Sequence, residues 1–365
     1  MRTLALARMG LRFVKQEISR HCLSLIGREA YFPSFVIDAQ LTLRCNLRCL
    51  QCPMWQTEEN EELSTADWKS IIADIRSTIG PFFIKFYGGE PLFRGDTLDL
   101  IDFCSKLDIG TLLTTNGTLI DRDVAQALIS NKVFVQISVD GAFPQTHDRL
   151  RGVQGSHGRV LAAIEYLAGK TPLQINTTIM QDNLDEILKL ADFASSKKIR
   201  ISFCGLITIG FGKERKICLQ REHPLFPKDL RKLDFVIDEL CKRRKNSSFI
   251  VNSVHSLQRH KLYYHHVLRS KKDVCEALGN YLVIKKTGNV QPCPFSEPMG
   301  NLKKQTFRQI WKSEELKRAV KESRHCGIAE CLITRGCYKQ DWLDIFRKVK
   351  HFFFFDRSAK SSGIL

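Results

Sequence analysis

The chain has 365 residues and a mass of 41.9 kDa, and its 56 Lys and Arg against 39 Asp and Glu give a formal net charge of +17. With 43% hydrophobic and 26% charged residues the composition is that of a globular protein, which excludes wholesale disorder, and no apolar run approaches the roughly 20 residues that cross a bilayer. The 13 cysteines are an odd number, so a complete disulfide framework is disfavoured, and in a reducing compartment metal ligation is the better interpretation.

Residues 1–33 predict a basic amphipathic helix, because apolar residues recur at helical spacing while basic residues occupy another face. Two interpretations stay open: the helix packs on the main domain, or it lies on an anionic membrane surface. The segment lacks an apolar core followed by a small-residue cleavage site, so no secretory signal is predicted. We therefore expect a cytoplasmic protein, with peripheral contact at the inner face of the membrane as an open alternative.

Residues 34–246 alternate predicted strands with predicted helices. This pattern implies a parallel sheet with right-handed crossovers, and so the α/β class. Six strand–helix units do not complete an eight-stranded barrel, so an open partial barrel and a doubly wound sheet both remain. The strands are predicted at residues 34–43, 82–87, 109–114, 133–139, 173–180 and 199–206, and the helices at 64–79, 96–107, 121–130, 156–168, 183–197 and 229–244.

The pattern changes near residue 246. Residues 247–340 are rich in turns, carry five of the cysteines and predict a small cysteine-rich α+β domain, and residues 341–365 form a basic aromatic tail. Residues 197–272 hold 19 Lys or Arg against 6 Asp or Glu, which makes either a solvated helical face or a surface for an anionic partner. Nucleic acid is disfavoured as that partner, since no helix-turn-helix, zinc-finger or RNA-binding signature is present.

The most specific pattern is a loop of three cysteines that follows the first predicted strand. Cys45, Cys49 and Cys52 are separated by three and by two residues. Thiolates are the usual ligands of iron–sulfur clusters, and three of them hold three irons of a [4Fe–4S] cluster while the fourth iron stays open. The alternative is a zinc site completed by a distant residue.

The motif Gly88-Gly89-Glu90-Pro91 ends the second predicted strand, where glycines let the backbone approach a ligand closely. One strand unit after the cysteine loop, it resembles the glycine-rich motif of the radical S-adenosylmethionine (radical SAM) superfamily, and the resemblance covers about residues 34–240. The resemblance implies a partial (β/α)6 TIM-like barrel that binds a [4Fe–4S] cluster and S-adenosylmethionine. It also implies that the backbone of Gly88 and Gly89 and the carboxylate of Glu90 hold the methionine ammonium.

Further cofactor-binding residues follow from the resemblance. In relatives, polar residues at the carboxyl ends of strands contact the ribose and methionine portions, an arginine grips the methionine carboxylate, and a residue after the sixth strand lies near the adenine. Many relatives have an aromatic residue before the third cysteine. This chain has Gln51 there, so either Trp55 supplies the ring or backbone groups contact the adenine. The other corresponding residues are Thr115, Asn116, Ser138, Asp140, Arg151 and Leu206.

Two cysteines flank a predicted hairpin at residues 281–291, and three more follow near the C-terminus. This pattern resembles the auxiliary iron–sulfur domains called SPASM and twitch. It implies one auxiliary [4Fe–4S] cluster, held by the first two cysteines and two of the last three. A four-cysteine zinc site is the alternative, because both metals accept four thiolates. The five cysteines are Cys275, Cys293, Cys326, Cys331 and Cys337.

The resemblance implies reductive cleavage of S-adenosylmethionine to a 5′-deoxyadenosyl radical, which removes hydrogen from a substrate C–H bond. It further implies an oxidoreductase or maturase type of reaction and a low-potential electron donor such as flavodoxin or ferredoxin. Both a peptide and an anionic or lipid-linked small molecule remain as substrates, and no catalytic acid or base is identified. A different hypothesis is a non-catalytic zinc or iron–sulfur adaptor at a membrane surface.

Overall fold

The computed structural model describes five parts of the chain. The predicted helix over residues 1–33 and the predicted tail over residues 341–365 lie outside the described residues, as do Cys275 and the three cysteines nearest the C-terminus. The predicted domain over residues 247–340 is described in part, and its boundaries stay a prediction. The described ranges are 36–57, 61–206, 223–267, 281–293 and 296–323.

The described residues contain nine strands, namely β1 (Val36–Thr42), β2 (Phe83–Gly88), β3 (Gly110–Thr115), β4 (Phe134–Ser138), β5 (Leu173–Ile179), β6 (Arg200–Gly205), β7 (Tyr281–Ile284), β8 (Asn289–Gln291) and β9 (Gly300–Asn301). They form one sheet in the order β6-β5-β4-β3-β2-β1-β7-β8-β9. The first six strands are the predicted ones and pair in parallel in chain order, which confirms the α/β partial barrel. The sheet is not closed.

The helices of the described residues are α1 (Thr65–Ile79), α2 (Thr97–Lys106), α3 (Arg122–Ser130), α4 (Pro144–Arg151), α5 (Ser156–Leu167), α6 (Ile187–Ser196), α7 (Leu230–Asn246), α8 (Val254–Tyr264), α9 (Phe307–Trp311) and α10 (Glu314–Ser323), with 3-10 turns at Met54–Gln56, Pro91–Phe93 and Gln181–Asn183. All six predicted helices are confirmed, whereas α4, α8, α9 and α10 were not predicted. The predicted capping box before α1 is present, because the Ser64 and Asp67 side chains each accept the other residue's backbone N–H. None of the helices in these ranges is long and apolar enough to cross a membrane.

The parallel strands alternate between two unlike faces. On β2, Ile84 and Phe86 are fully buried in the core, whereas Lys85 and Tyr87 are half-exposed. The same alternation runs through β3, β4 and β6. One face therefore packs against the helices, and the other is the inner face of the partial barrel. A doubly wound sheet would bury both faces under helices.

The hairpin of β7 and β8 extends the barrel sheet. β7 pairs in parallel with β1, and β8 and β9 follow in antiparallel pairing. The hairpin turns at Gly288, as predicted, with a φ of +88°. Leu63 N–H donates to the Lys286 carbonyl, and Phe307 N–H donates to the Asp74 carboxylate. β1, which leads into the cysteine loop, is thus paired on both sides.

Candidate active site

The three-cysteine loop is attached to the end of α4 by backbone hydrogen bonds. Arg48 N–H donates to the Arg151 carbonyl (3.1 Å), and Leu50 N–H donates to the Leu150 carbonyl (3.0 Å). Gly152 permits this close approach, because its φ is +70° and a Cβ there would lie 2.2 Å from the Arg48 oxygen. Any larger residue at position 152 would displace the loop.

All three predicted cysteines of the loop are free thiols. Cys49 is 9% exposed, and Cys45 and Cys52 are half-buried. Burial raises the pKa of Cys45 to about 11 and also raises the pKa of Cys52, and the neighbouring thiols raise both pKa values further. In the metal-free protein these two thiols therefore stay protonated at neutral pH, and cluster binding must release their protons.

The donor set of the loop fits an iron–sulfur cluster. Among the described residues, no group of three or more His, Cys, Asp or Glu side chains is arranged to hold a single metal ion. A [4Fe–4S] cluster does not require such convergence, because each thiolate binds a different iron. Leu47 N–H lies 3.4 Å from the Cys45 sulfur, and Arg151 Nη1 lies 3.8 Å from the Cys49 sulfur. A backbone donor and a cation thus face the sulfur ligands and stabilise their anionic form.

The glycine-rich turn after β2 is in direct contact with the start of the cysteine loop. Gly88 has a φ of +146°, and a Cβ on it would lie 2.1 Å from the Thr42 oxygen. Gly89 N–H donates to the Thr42 carbonyl (2.8 Å), and Glu90 N–H donates to the Arg44 carbonyl (2.9 Å). The two predicted motifs, 36 residues apart in sequence from Cys52 to Gly88, therefore form one surface.

The Glu90 carboxylate is fully buried and accepts three hydrogen bonds. The donors are the Thr115 hydroxyl (2.7 Å), Asn116 N–H (2.7 Å) and Leu92 N–H (3.0 Å). Burial raises the pKa of Glu90 to about 6, although these hydrogen bonds oppose the shift. Glu90 thus ties the glycine-rich turn to the end of β3, and its contact with a methionine ammonium stays a prediction.

Asn116 connects the end of β3 to the first cysteine. Its amide nitrogen donates to Asn46 Oδ1 (2.8 Å) and lies 3.9 Å from the Cys45 sulfur. Its amide oxygen accepts from Thr118, whose hydroxyl also accepts from Asn46 Nδ2 (2.9 Å). Asn46 was not predicted as a site residue, although its place directly after the first cysteine was an available signal.

A buried ion pair joins the ends of β4 and α4. Arg151 Nη2 lies 2.7 Å from Asp140 Oδ2, and Asp140 is fully buried. Gln51 Nε2 donates to the same carboxylate oxygen (3.0 Å), and Thr178 N–H donates to the other one (2.9 Å). The structure therefore brings together Gln51, Asp140 and Arg151, which the sequence places in three separate segments.

Two atoms of this network are buried without a partner in the described residues. They are the amide oxygen of Gln51 and the Nε nitrogen of Arg151. Buried polar atoms are nearly always hydrogen-bonded, so an orphaned acceptor and an orphaned donor next to the cysteine loop indicate a ligand with groups of both kinds. The methionine portion of S-adenosylmethionine carries an ammonium donor and a carboxylate acceptor. The residues present thus fit this cofactor as well as the cluster.

Ser138 and Leu206, which are also predicted to bind the cofactor, lie outside this hydrogen-bond network. Ser138 ends β4 on the inner face and is half-exposed. The Leu206 backbone is fully engaged, since its N–H donates to the Tyr264 hydroxyl (2.8 Å) and its carbonyl accepts from the Tyr263 hydroxyl (2.6 Å). Cofactor contacts of Ser138 and Leu206 stay predictions, and an adenine contact of Leu206 has to come from its side chain or from a rearranged backbone.

Trp55 packs on the cysteine loop itself. Its indole N–H donates to the Cys49 carbonyl (3.3 Å), and the Arg48 guanidinium lies 5.2 Å from its ring centroid. The ring therefore supports the loop, and its predicted contact with adenine stays untested. Arg149, in contrast to Arg151, is half-exposed and pairs with Asp182.

Two unpredicted residues hold the backbone of Asp140. Asn183 Nδ2 donates to the Asp140 carbonyl (2.8 Å) and to the Thr178 carbonyl (2.8 Å), and His147 Nδ1 accepts from Asp140 N–H (3.4 Å). Burial lowers the pKa of His147 to about 3, and the charge of Arg151 lowers it further. The ring is therefore neutral at physiological pH and able to accept this hydrogen bond.

Of the five cysteines predicted for the auxiliary cluster, Cys293 lies in the described residues. It follows β8 and is half-buried. Its N–H donates to the Ser296 hydroxyl (3.2 Å), which in turn donates to the Cys293 carbonyl (2.8 Å). The identity of the four cysteines that ligate the auxiliary cluster stays a prediction.

Comparison with known proteins agrees with the geometry. The family model of the radical SAM superfamily matches residues 40–194, and that of SPASM, an iron–sulfur cluster-binding domain, matches residues 275–338. The AdoMet-dependent heme synthase of Methanosarcina barkeri is 29% identical over 331 residues, which cover 83% of this chain and 90% of that protein. Mycofactocin maturase MftC of Mycolicibacterium smegmatis is 28% identical over 306 residues, covering 80% and 74%. The crystal structure of Streptococcus suis SuiB bound to S-adenosylmethionine superposes with a TM-score of 0.61 at 20% identity, covering 82% of this chain and 71% of SuiB.

The chain therefore belongs to the radical SAM superfamily and has a C-terminal SPASM domain. Its cofactors are S-adenosylmethionine, the [4Fe–4S] cluster that binds it, and an auxiliary [4Fe–4S] cluster. The predicted family, fold and cofactors are thus confirmed.

Proposed function

We propose that this enzyme cleaves S-adenosylmethionine reductively at the cluster of the three-cysteine loop and modifies a peptide or a small molecule. When bound there, the cluster and S-adenosylmethionine supply a 5′-deoxyadenosyl radical that abstracts hydrogen from a substrate C–H bond. The observation that carries the proposal is the assembly of the cysteine loop, the glycine-rich turn and the Gln51–Asp140–Arg151 network at one end of the barrel. The relatives named as heme synthase and mycofactocin maturase support both substrate classes.

The residues of this chain have distinct tasks in the proposed reaction. Cys45, Cys49 and Cys52 bind three irons and leave the fourth open, and the orphaned Nε of Arg151 and Oε1 of Gln51 bind the polar groups of the methionine portion. Positioning these groups before the reaction lowers its entropic cost, and enclosing them excludes water.

The remaining elements of the proposal concern electrons. A low-potential donor such as flavodoxin or ferredoxin would reduce the cluster of the three-cysteine loop. The auxiliary cluster, held by Cys293 and other C-terminal cysteines, would either take up an electron from the substrate, which would make the net reaction an oxidation, or help to bind the substrate. Peripheral contact of residues 1–33 with the membrane and a cytoplasmic location stay predictions.

The test is the release of 5′-deoxyadenosine. The full chain, reconstituted with iron and sulfide without oxygen, should contain about eight irons for two clusters. It should release 5′-deoxyadenosine when dithionite and S-adenosylmethionine are added. A fully iron-loaded protein that releases none would contradict the proposal, and zinc with little iron would favour the adaptor hypothesis.

A matched pair of variants assigns the reaction to the loop. Cys49→Ala should abolish the release, because one iron loses its ligand. Cys104→Ala removes a buried thiol of α2 that lies outside the loop, and it should keep the activity.

A further inference from the structure

The inner face of the partial barrel carries polar side chains. Lys85 on β2, Gln136 on β4 and Asn176 on β5 are half-exposed there, between neighbours that are buried in the core. An enclosed face of this sort needs hydrogen-bonding partners, and which partners it takes depends on whether donors or acceptors remain unused.

The unused groups are donors. The Gln136 amide oxygen accepts from the Thr114 hydroxyl (3.1 Å), and the Asn176 amide oxygen accepts from Gln174 Nε2 (2.8 Å) and from the Ser202 hydroxyl (2.7 Å). Within the described residues the amide nitrogens of Gln136 and Asn176 have no partner, and both keep contact with solvent. Their N–H groups are therefore available to a bound acceptor.

The third donor is the Lys85 ammonium. In the described part of the chain no carboxylate forms an ion pair with it, and its Nζ lies 6.0 Å from the centroid of the Tyr87 ring. Asp38 occupies the adjacent position on β1, where its side chain is 5% exposed. A half-exposed cation that forms no ion pair within the described residues attracts an anion.

Lys85 lies within electrostatic range of Cys204 on β6. Burial raises the pKa of the Cys204 thiol to about 11, while the charge of Lys85 lowers it and that of Asp140 raises it. β2 and β6 are separated by three strands in the sheet, so Lys85 can act on Cys204 only across the concavity. Lys85 therefore faces the same interior space as the amides of β4 and β5.

We propose that this inner face binds an anionic group of the substrate, a carboxylate or a phosphate, through the Lys85 ammonium and the amide N–H groups of Gln136 and Asn176. The inference rests on the proposed function, because it defines the substrate chemistry of the same enzyme. Among peptides and small molecules, the expected substrates are therefore those that carry a carboxylate or a phosphate on the part of the molecule that enters the barrel.

The test is calorimetric titration of the reconstituted full chain with tricarballylate as the carboxylate probe and with inorganic pyrophosphate as the phosphate probe. S-adenosylmethionine is present in excess and no reductant is added, so that the probes do not occupy the methionine carboxylate site. One probe should bind the wild type, and Lys85→Gln should weaken its binding about tenfold or more, since a charge-assisted hydrogen bond is lost. The probe whose affinity falls identifies the group as carboxylate or phosphate.

Three further variants control the titration. Lys85→Arg should keep most of the affinity, and Lys170→Gln, at an exposed position outside the barrel interior, should bind like the wild type. Asn176→Asp puts a negative charge into the interior and should abolish binding, which keeps the inference testable even if Lys85→Gln fails to fold. Equal affinity of wild type, Lys85→Gln and Asn176→Asp, or no binding of either probe to the wild type, would overturn the inference. Release of 5′-deoxyadenosine by the wild type is measured separately. Failure of the proposed function is thereby distinguished from failure of the inference about anion binding.

Discussion

Replacing Gly152 tests how the cysteine loop is held in place. Gly152→Ala introduces a Cβ 2.2 Å from the Arg48 oxygen at a φ of +70°. The left-handed backbone costs a residue with a side chain roughly 1 kcal/mol. Moving the loop away breaks the hydrogen bonds from Arg48 and Leu50 to the end of α4, each worth about 0.5–1.5 kcal/mol. We therefore expect the free energy of unfolding to fall by about 2–4 kcal/mol.

Gly155→Ala is the matched control, because Gly155 has a φ of +75° and nothing lies within 4 Å of its added Cβ. It should cost only the backbone strain, roughly 1 kcal/mol. The assay is urea denaturation of the full chain followed by circular dichroism, together with the iron retained per chain after reconstitution. Gly152→Ala should lose both stability and iron. Equal unfolding midpoints and equal iron content for the two variants would refute the idea that the close contact of Gly152 with the Arg48 carbonyl positions the loop.

Three other predictions concern buried groups. Asp140→Asn leaves the Arg151 guanidinium without its counter-charge, and breaking such a buried ion pair costs about 3–5 kcal/mol. The melting temperature should therefore drop markedly. An unchanged melting curve would contradict a stabilising role of the pair. The pKa of Glu90 is about 6 in the folded protein against an ordinary value of 4.5, so its contribution to the stability of the metal-free fold is present at low pH and is lost as the pH rises through 6. The difference in free energy of unfolding between wild type and Glu90→Gln should therefore be larger at pH 5 than at pH 7.5. A difference that does not change with pH would contradict this. Tyr264→Phe removes a hydroxyl that bonds both Leu206 N–H and the Ile179 carbonyl, whereas Tyr263→Phe removes the hydroxyl that bonds the Leu206 carbonyl. In thermal melts we expect Tyr264→Phe to destabilise more, and the reverse order would contradict the importance of these contacts.

The sequence allowed the prediction of features that depend on neighbouring residues. The strands of the barrel show a period of two, the capping box at Ser64 spans four residues, and the hairpin at Gly288 has a turn that needs a positive φ. The cysteine loop was equally local, since three thiols within eight residues can be recognised without knowledge of the fold.

Features that depend on tertiary contact were not predictable. Gln51 meets Asp140 across 89 residues and Arg151 meets the Cys49 sulfur across 102. Such pairs follow from the register of the sheet and from the position of α4, an eight-residue helix that is mostly polar and lacks an apolar period. The engaged backbone of Leu206 was missed for the same reason, because the hydroxyls that engage it lie on α8, 57 and 58 residues further along.

The pairing of β7 with β1 affects how this enzyme can be dissected. A truncated chain that ended before residue 281 would turn β1 from an interior strand into an edge, with the N–H and C=O groups of its Val36–Ala39 segment open to pairing with another chain. Expression of the isolated barrel should therefore yield oligomers or aggregates, and deletions made to study the SPASM domain are best placed after β9, so that this edge stays covered.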